Sequence, residues 1–438
     1  MIVPNSIDFE NLLHMTQVHI TEHYAAVLTD QEQLPQLRAY IDQFLRTGDY
    51  EVAGMEPSDL AEKLYREMAE YSALTPLIVS PDLEEINLNA WDDIAITHTD
   101  GRITKADEHF QNPQHAEDII KRLLHHSGMV IDAATPIAQG HLPNNARITA
   151  LKAPIVDDDC GVAASIRLLH PQRITRNMLL STGMATAEML DFLSVCIRYG
   201  VSTAVSGATS TGKTTLINCL LGEIPDNKRV FTIESGAREL CLVKKRDGKT
   251  VNNVIHTLSR PSDNPAYNIT QEQLVETSLR FSPDVVVVGE MRNVEAFSAV
   301  EASLTGHTVV STIHSGSAAG AHTRIALLCQ RRFPIDFPTA LTQAGMAFPV
   351  IAQTHQLEDN SRRIMDISEC EILPDGQRIY HTLYRYEIER NQLVDGQYRI
   401  TGHFVKVQPP SEGLQNRLRL YGIPQDILAK FTGKETMS

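Results

Sequence analysis

Long apolar runs are missing from this 438-residue chain. No stretch approaches the roughly 18 residues that a membrane-crossing helix needs, so a role at a membrane would run through partners. The first residues show no basic segment followed by an apolar one, and no secretory leader is visible. Cysteine is scarce: Cys160, Cys196, Cys219, Cys241, Cys329 and Cys370 are the six, and no two form a C-x-x-C pair. That spacing suggests neither a zinc cage nor a disulfide framework and fits reduced thiols in a cytosolic protein. Basic residues are outnumbered, with 39 Lys and Arg against 54 Asp and Glu, for a formal charge of −15. A dedicated nucleic-acid binder carries a basic face, often with interleaved aromatics. This chain has no such strip, so nucleic acid is not expected as a main partner. Internal repeats and low-complexity tracts are absent as well.

What remains is a globular composition, 42% hydrophobic and 21% charged, long enough for two or three domains. One stretch organises it. Gly207-Ala-Thr-Ser-Thr-Gly-Lys-Thr214 reads G-x-x-x-x-G-K-T, the phosphate-binding loop pattern. Gly207 and Gly212 let the backbone turn its N–H groups around phosphate oxygens. Ala208, Thr209, Ser210, Thr211 and Thr215 complete the cradle, Lys213 carries a point charge to the β- and γ-phosphates, and the Thr214 hydroxyl is placed to ligate Mg²⁺. A nucleoside triphosphate and Mg²⁺ are therefore expected at the loop. Val201–Ser206 before the loop reads as a buried strand, and Thr214–Leu221 after it as an apolar helix whose N-terminus favours anions.

The rest divides by pattern into four regions, 1–72, 73–172, 173–345 and 346–438. Residues 1–72 are helical in period, with Leu34, Leu37, Ile41, Phe44 and Leu45 at three- and four-residue spacing. Residues 73–172 mix strands (Ile86–Asn89, Ile94–Thr97, Arg147–Leu151, Ala163–Leu169) with a helix over Ala116–Ser127, an α/β domain. From 173 to 345, strands alternate with helices, which implies a doubly wound α/β domain. Lys244–Asn264 reads as a surface excursion, and 346–438 as a small β/α appendage with a strand over Arg378–Tyr384 and a helix over Leu414–Tyr421.

Chemistry concentrates after the loop. Asp284-Val-Val-Val-Val-Gly-Glu290 is an apolar strand of the kind buried in a parallel sheet, and it delivers a carboxylate from its C-terminal edge. Glu290 is the candidate for orienting and activating the attacking water. Asp284, at the other end and about 20 Å away if extended, is expected to be structural. Thr232-Ile-Glu-Ser-Gly-Ala-Arg-Glu239 offers Glu234 and Glu239. His307 and His314 bracket a further strand, so only His314, at the C-terminal edge, is placed to stabilise the γ-phosphate.

Taken in order, these segments resemble the secretion ATPase superfamily of type II and type IV secretion systems and type IV pili. The loop is followed by Thr-Ile-Glu234…Glu239, like the family's Asp box. Next comes Arg280-x-x-Pro-Asp…Gly-Glu-x-Arg292, like its Walker B. Last comes Thr-Gly-His307…Ser-Thr-Ile-His314, like its His box. The likeness is greatest to tight-adherence (Flp) pilus assembly ATPases and their conjugation-type relatives. It implies a PAS-like α/β domain over 73–172 and a RecA-like ATPase domain over 173–345, with ATP and Mg²⁺ as cofactors, in a cytoplasmic homo-hexamer that hydrolyses ATP at the inner face of a membrane, docked on a membrane-embedded platform protein, to power pilus assembly or secretion. It also implies that arginines on strands just upstream of the motor domain reach the phosphates, and Arg147 and Arg167 match those strands. The chain departs from the family at Ser235, where an aspartate is usual, and an extra residue separates Glu234 from Glu239, so the division of labour between them stays open. The loop is richer in Thr and Ser than is usual, and the cysteine tetrad of many type II export ATPases is absent. Both the conjugation branch and a RecA-like nucleic-acid motor remain as alternatives.

Overall fold

The computed structural model describes residues 5–29, 34–125, 128–142, 146–168, 174–236, 238–260, 265–394 and 396–433. The far ends of the expected helix at 126–127, the strand at 169 and the excursion at 261–264 lie outside them. The chain forms two compact units, Met1–His170 and Pro171–Ser438.

The first unit opens with three helices, α1 (Phe9–Thr29), α2 (Leu34–Gly48) and α3 (Pro57–Ala69). Their apolar stripes bury Leu12, Ile20, Leu37, Ile41, Leu60 and Leu64 in one cluster. Pro57 starts α3, where its missing N–H would have had no partner. Six antiparallel strands follow: β1 (Leu83–Ala90), β2 (Asp93–His98), β3 (Ile103–Lys105), β4 (Ile137–His141), β5 (Arg147–Lys152) and β6 (Val162–Arg167). They are ordered β3-β2-β1-β6-β5-β4. Alternation fixes their faces. Ile86, Ile148 and Ile166 pack with Ile119, Ile120 and Leu123 of α4 (Pro113–His125). Glu85, Arg147 and Arg167, which oppose one another across the strands, take the other face.

The second unit is built on one nine-stranded sheet. After α5 (Ala187–Arg198), whose first turn is capped by Thr186, comes β7 (Thr203–Gly207) and then α6 (Lys213–Gly222). Next are β8 (Arg229–Glu234), β9 (Asn253–Leu258), α7 (Gln271–Ser278), β10 (Val285–Val288), α8 (Glu295–Leu304), β11 (Thr308–Ile313), α9 (Ala318–Arg332) and α10 (Phe337–Ala347). Four strands and two helices complete it: β12 (Val350–Gln356), β13 (Arg362–Ile372), β14 (Arg378–Val394), β15 (Gln397–Lys406), α11 (Glu412–Leu420) and α12 (Gln425–Thr432). The order is β9-β8-β10-β11-β7-β12-β13-β14-β15, parallel through β12 and antiparallel beyond. The β10 strand is apolar throughout because it faces two cores. Val285 and Val287 pack on the side of α5 and α6, and Val286 and Val288 on the side of α8, α9 and α10.

The expected fold class stands: an α/β loop-bearing domain preceded by a smaller α/β domain and N-terminal helices. Two expectations are corrected. Residues from 346 on are no separate appendage, because β12 pairs in parallel with β7 and the sheet runs on through β13 to β15. The segment after Lys244 is only partly an excursion, since β9 forms the edge of the main sheet beside β8. Among the described residues no helix is long and apolar enough to cross a membrane.

Candidate nucleotide site

Strands β7, β8, β10 and β11 are parallel, so their C-terminal ends share one edge of the sheet, where ligands bind in open α/β folds. The loop Ala208–Gly212 leaves β7 at this edge and enters α6 at Lys213. Ser210 (φ 62°) and Gly212 (φ 87°) take left-handed backbone, which turns successive N–H groups to one side and forms an anion-binding nest. At Gly207 the need is for space: a Cβ there would stand 2.4 Å from the Thr354 carbonyl oxygen and 2.6 Å from the Thr211 hydroxyl. Ala208, Thr209 and Ser210 are exposed and Lys213 is buried. The Lys213 ammonium donates to the carbonyls of Ala208 (2.6 Å) and Gly207 (3.1 Å). The hydroxyls of Thr214 and Thr215 make no hydrogen bond to protein among the described residues.

Glu290 follows β10 on a loop fastened to both neighbouring strands. Gly289 N–H donates to Ile233 (2.8 Å), Met291 N–H donates to Thr312 (2.9 Å), and the Thr312 hydroxyl donates to Gly289 (2.7 Å). Its carboxylate lies 3.1 Å from His314 Nε2 and 3.3 Å from Arg292 Nε. His314 leaves β11, and the carbonyl of the next residue, Ser315, accepts from Ser206 (3.2 Å) and Gln353 (3.1 Å). Burial, and then the Lys213 charge, hold the His314 imidazole below its ordinary pKa of 6.5, against Glu290 and a hydrogen bond with the Gly207 backbone. The loop-bound Lys213 ammonium and the His314–Glu290 pair therefore gather at one edge of the sheet, drawn from three strand ends.

The remaining candidates are placed differently. Glu234 is 4% exposed and turns back on its own segment, where one carboxylate oxygen accepts from the N–H groups of Glu239 (2.7 Å) and Leu240 (3.0 Å). Its other oxygen has no hydrogen-bond partner among the described residues and lies 3.8 Å from His256 Nδ1. A Cβ on Gly289 would stand 3.4 Å from Glu234 Cγ, so the residue flanks the Glu290 loop while closing a turn. Glu239 is held through its backbone, and its half-buried side chain has no hydrogen bond among the described residues. Asp284 takes the Lys228 ammonium (2.7 Å) and the Arg229 N–H (2.8 Å) at the start of β10, a structural post at the far edge. His307 precedes β11 and lies at that same far edge. In the first unit, Arg147 and Arg167 are directly opposite on β5 and β6. Like charges so placed repel, yet neither guanidinium makes a hydrogen bond or ion pair among the described residues.

Two neighbours of the loop gave no signal in the sequence. Buried Thr354 on β12 shares a hydrogen bond with Thr211 (2.8 Å) and donates to Ser206 (3.1 Å), and Arg362 at the start of β13 donates from Nε to the Ser210 carbonyl (2.8 Å). The run Val350-Ile-Ala-Gln-Thr354 could be read as a strand, but nothing local says that β7 is its partner.

A strand, a left-handed glycine loop and a helix at the edge of a parallel sheet, with a carboxylate on the adjacent strand end, define a phosphate-loop nucleotide-binding domain. Residues 67–372 match the family described as Type II/IV secretion system protein, and the chain belongs to that family. It is 28% identical over 310 residues to the uncharacterized protein MJ0900 of Methanocaldococcus jannaschii, covering 70% of this chain and 53% of that protein. It is 33% identical over 191 residues to the type IV secretion system protein PtlH of Bordetella pertussis, covering 42% and 54%. It is 28% identical over 286 residues to the probable conjugal transfer protein TrbB of Sinorhizobium fredii, covering 64% and 79%. The chain thus spans about half the length of the first two of these relatives. Among solved structures, the VirB11 ATPase of the Brucella suis type IV secretion system, in complex with sulphate, aligns at 19% identity and a TM-score of 0.35, over 68% of this chain and 95% of that one. The pilus retraction motor PilT with bound ADP aligns at 16% and 0.48, over 83% and 96%.

Proposed function

We propose that this protein is an ATPase that hydrolyses MgATP to drive pilus assembly or protein secretion across a membrane, of the tight-adherence pilus type. It would work as a homo-hexamer at the cytoplasmic face, held there by a membrane-embedded platform protein. The observation that carries the proposal is the placing of the loop, with its buried Lys213, and the His314–Glu290 pair at the same edge of the sheet.

The residues fit a magnesium nucleotide. The nest of N–H groups suits the polyphosphate, and Lys213, now on the loop's own carbonyls, exchanges them for phosphate oxygens. The Thr214 hydroxyl, which makes no hydrogen bond among the described residues, would hold Mg²⁺, which would supply charge neutralisation for the polyphosphate. Glu290 accepts the proton of the attacking water, and the neutral His314 ring orients that carboxylate and reads the γ-phosphate. Glu234 and Glu239 shape the wall beside the Glu290 loop. Arg147 and Arg167, which make no ion pair among the described residues, are the proposed extra charges for the phosphates. The type IV secretion and conjugal-transfer names among the relatives support a second reading, a conjugation-type secretion ATPase using the same site.

Phosphate release at saturating MgATP tests the assignment. Lys213→Ala should lose nucleotide binding, whereas Glu290→Gln should bind nucleotide and lose turnover by about 10²–10⁴. Wild-type turnover in Glu290→Gln would remove Glu290 from the mechanism.

A further inference from the structure

The phosphate loop is braced from outside by a hairpin to which the reading above gives no role. Strands β12 and β13 pair antiparallel, with Gln356 opposite Arg362, and β12 places Thr354 beside Gly207. The hairpin therefore turns at the sheet edge where the loop lies. From it, Arg362 donates through Nε to the Ser210 carbonyl (2.8 Å), and its Cδ would be 3.5 Å from a Cβ on Gly212. The side chain is otherwise exposed, and its terminal nitrogens have no hydrogen bond to protein among the described residues.

Ser210 needs such a brace. It is a non-glycine residue at φ 62°, a conformation that L side chains disfavour and that persists only where the surroundings fix it. In a trans peptide the C=O and the following N–H point in opposite directions. A Ser210 carbonyl drawn outward to Arg362 therefore sends the Thr211 N–H inward, into the nest. We propose that Arg362 is a positioning residue for nucleotide binding: it holds the Ser210–Thr211 peptide in the orientation that aims the loop's N–H groups at the polyphosphate. The inference rests on the reading of Gly207–Thr214 as a nucleotide site and extends it to a residue more than 140 positions downstream. The phosphates such a loop wraps are shared by ATP and ADP, so both should feel the brace, and the chemical step should not.

Calorimetric titration of the full-length chain with ADP and with a non-hydrolysable ATP analogue tests this. Arg362→Ala should weaken both by the same factor, about five- to tenfold for one charge-assisted hydrogen bond at an exposed site, with turnover at saturating MgATP within about twofold of wild type. Adding Ser210→Gly, which lifts the steric objection to left-handed backbone, should recover about threefold or more of the lost affinity, a rescue that loss of a mere surface contact would not give. The proposal is overturned if Arg362→Ala binds both nucleotides like the wild type, or if the triphosphate alone weakens. It also fails if turnover falls at unchanged affinity or if Ser210→Gly rescues nothing. A wild-type chain that binds neither nucleotide would remove the nucleotide-site reading itself, and this inference with it.

Discussion

His322 offers a direct test of how the second unit is held together. It sits in α9 with no solvent exposure. Its Nε2 lies 2.8 Å from the Phe348 carbonyl and its Nδ1 3.1 Å from the Tyr380 hydroxyl. That network is satisfied by a neutral ring with the proton on Nε2, donating to Phe348 and accepting from Tyr380. Burial is the largest influence on the ring. Together with the Arg378 charge, and against the Phe348 hydrogen bond, it pushes the pKa from 6.5 down to about 4. The sign follows from linkage. Below pH 6.5 the unfolded chain binds a proton here that the folded chain refuses, so stability is full above that pH and is lost as pH falls. Each pH unit in the window is worth about 1.36 kcal/mol, which gives about 2 kcal/mol between pH 7.5 and pH 5 and about 3 kcal/mol at the acid limit. Urea unfolding followed by circular dichroism, at both pH values, compares wild type with His322→Gln, which keeps a donor for Phe348 but cannot titrate. The stability gap between the two proteins should close by about 2 kcal/mol on acidification. Fluorescence of Trp91, the chain's single tryptophan, reports the other unit and should show no change in that gap. A gap that stays constant with pH would refute the reasoning.

Two further outcomes follow from the site. Gly207→Ala drives a Cβ to 2.4 Å from a backbone oxygen of the adjacent strand, whereas Gly222, at the end of α6, has nothing within 4 Å. The first should cost about 1–3 kcal/mol and abolish ADP binding, and Gly222→Ala should do neither; equal thermal midpoints and affinities for the two variants would sink the steric argument. Arg147→Ala removes one of two opposed like charges, whereas Arg167→Ala also removes the residue opposite Glu85. The Trp91-reported stability should hold or rise by up to about 1 kcal/mol in the first and stay level in the second, while turnover falls on the order of 10³-fold; undiminished turnover in both would leave both arginines without a role in hydrolysis.

Much of the site could be read residue by residue. The β10 strand announces itself because a strand buried on both faces needs an unbroken apolar run, and its end puts Glu290 at the edge that matters. His314 was separable from His307 by counting along one strand. Glu234 and Glu239 were not separable from each other. Their spacing looks like two catalytic candidates, yet one carboxylate caps the other residue's backbone, and only the path of a turn decides that. The region after 345 misled in the same way. Its strands are legible as strands, but β-pairing is a choice among distant partners, and the sequence of β12 does not name β7.

The sequence alone determined the strand, loop and helix around Gly207–Thr214. Their requirements are local: left-handed backbone at Gly212, an apolar strand before and an apolar helix after. The tertiary structure alone decided that Lys213, His314 and Glu290 meet, and that Thr354 and Arg362 grip the loop from a strand and a hairpin distant in sequence. Those contacts arise from the order in which parallel strands bury both their faces, a property of the assembled sheet rather than of any segment in it.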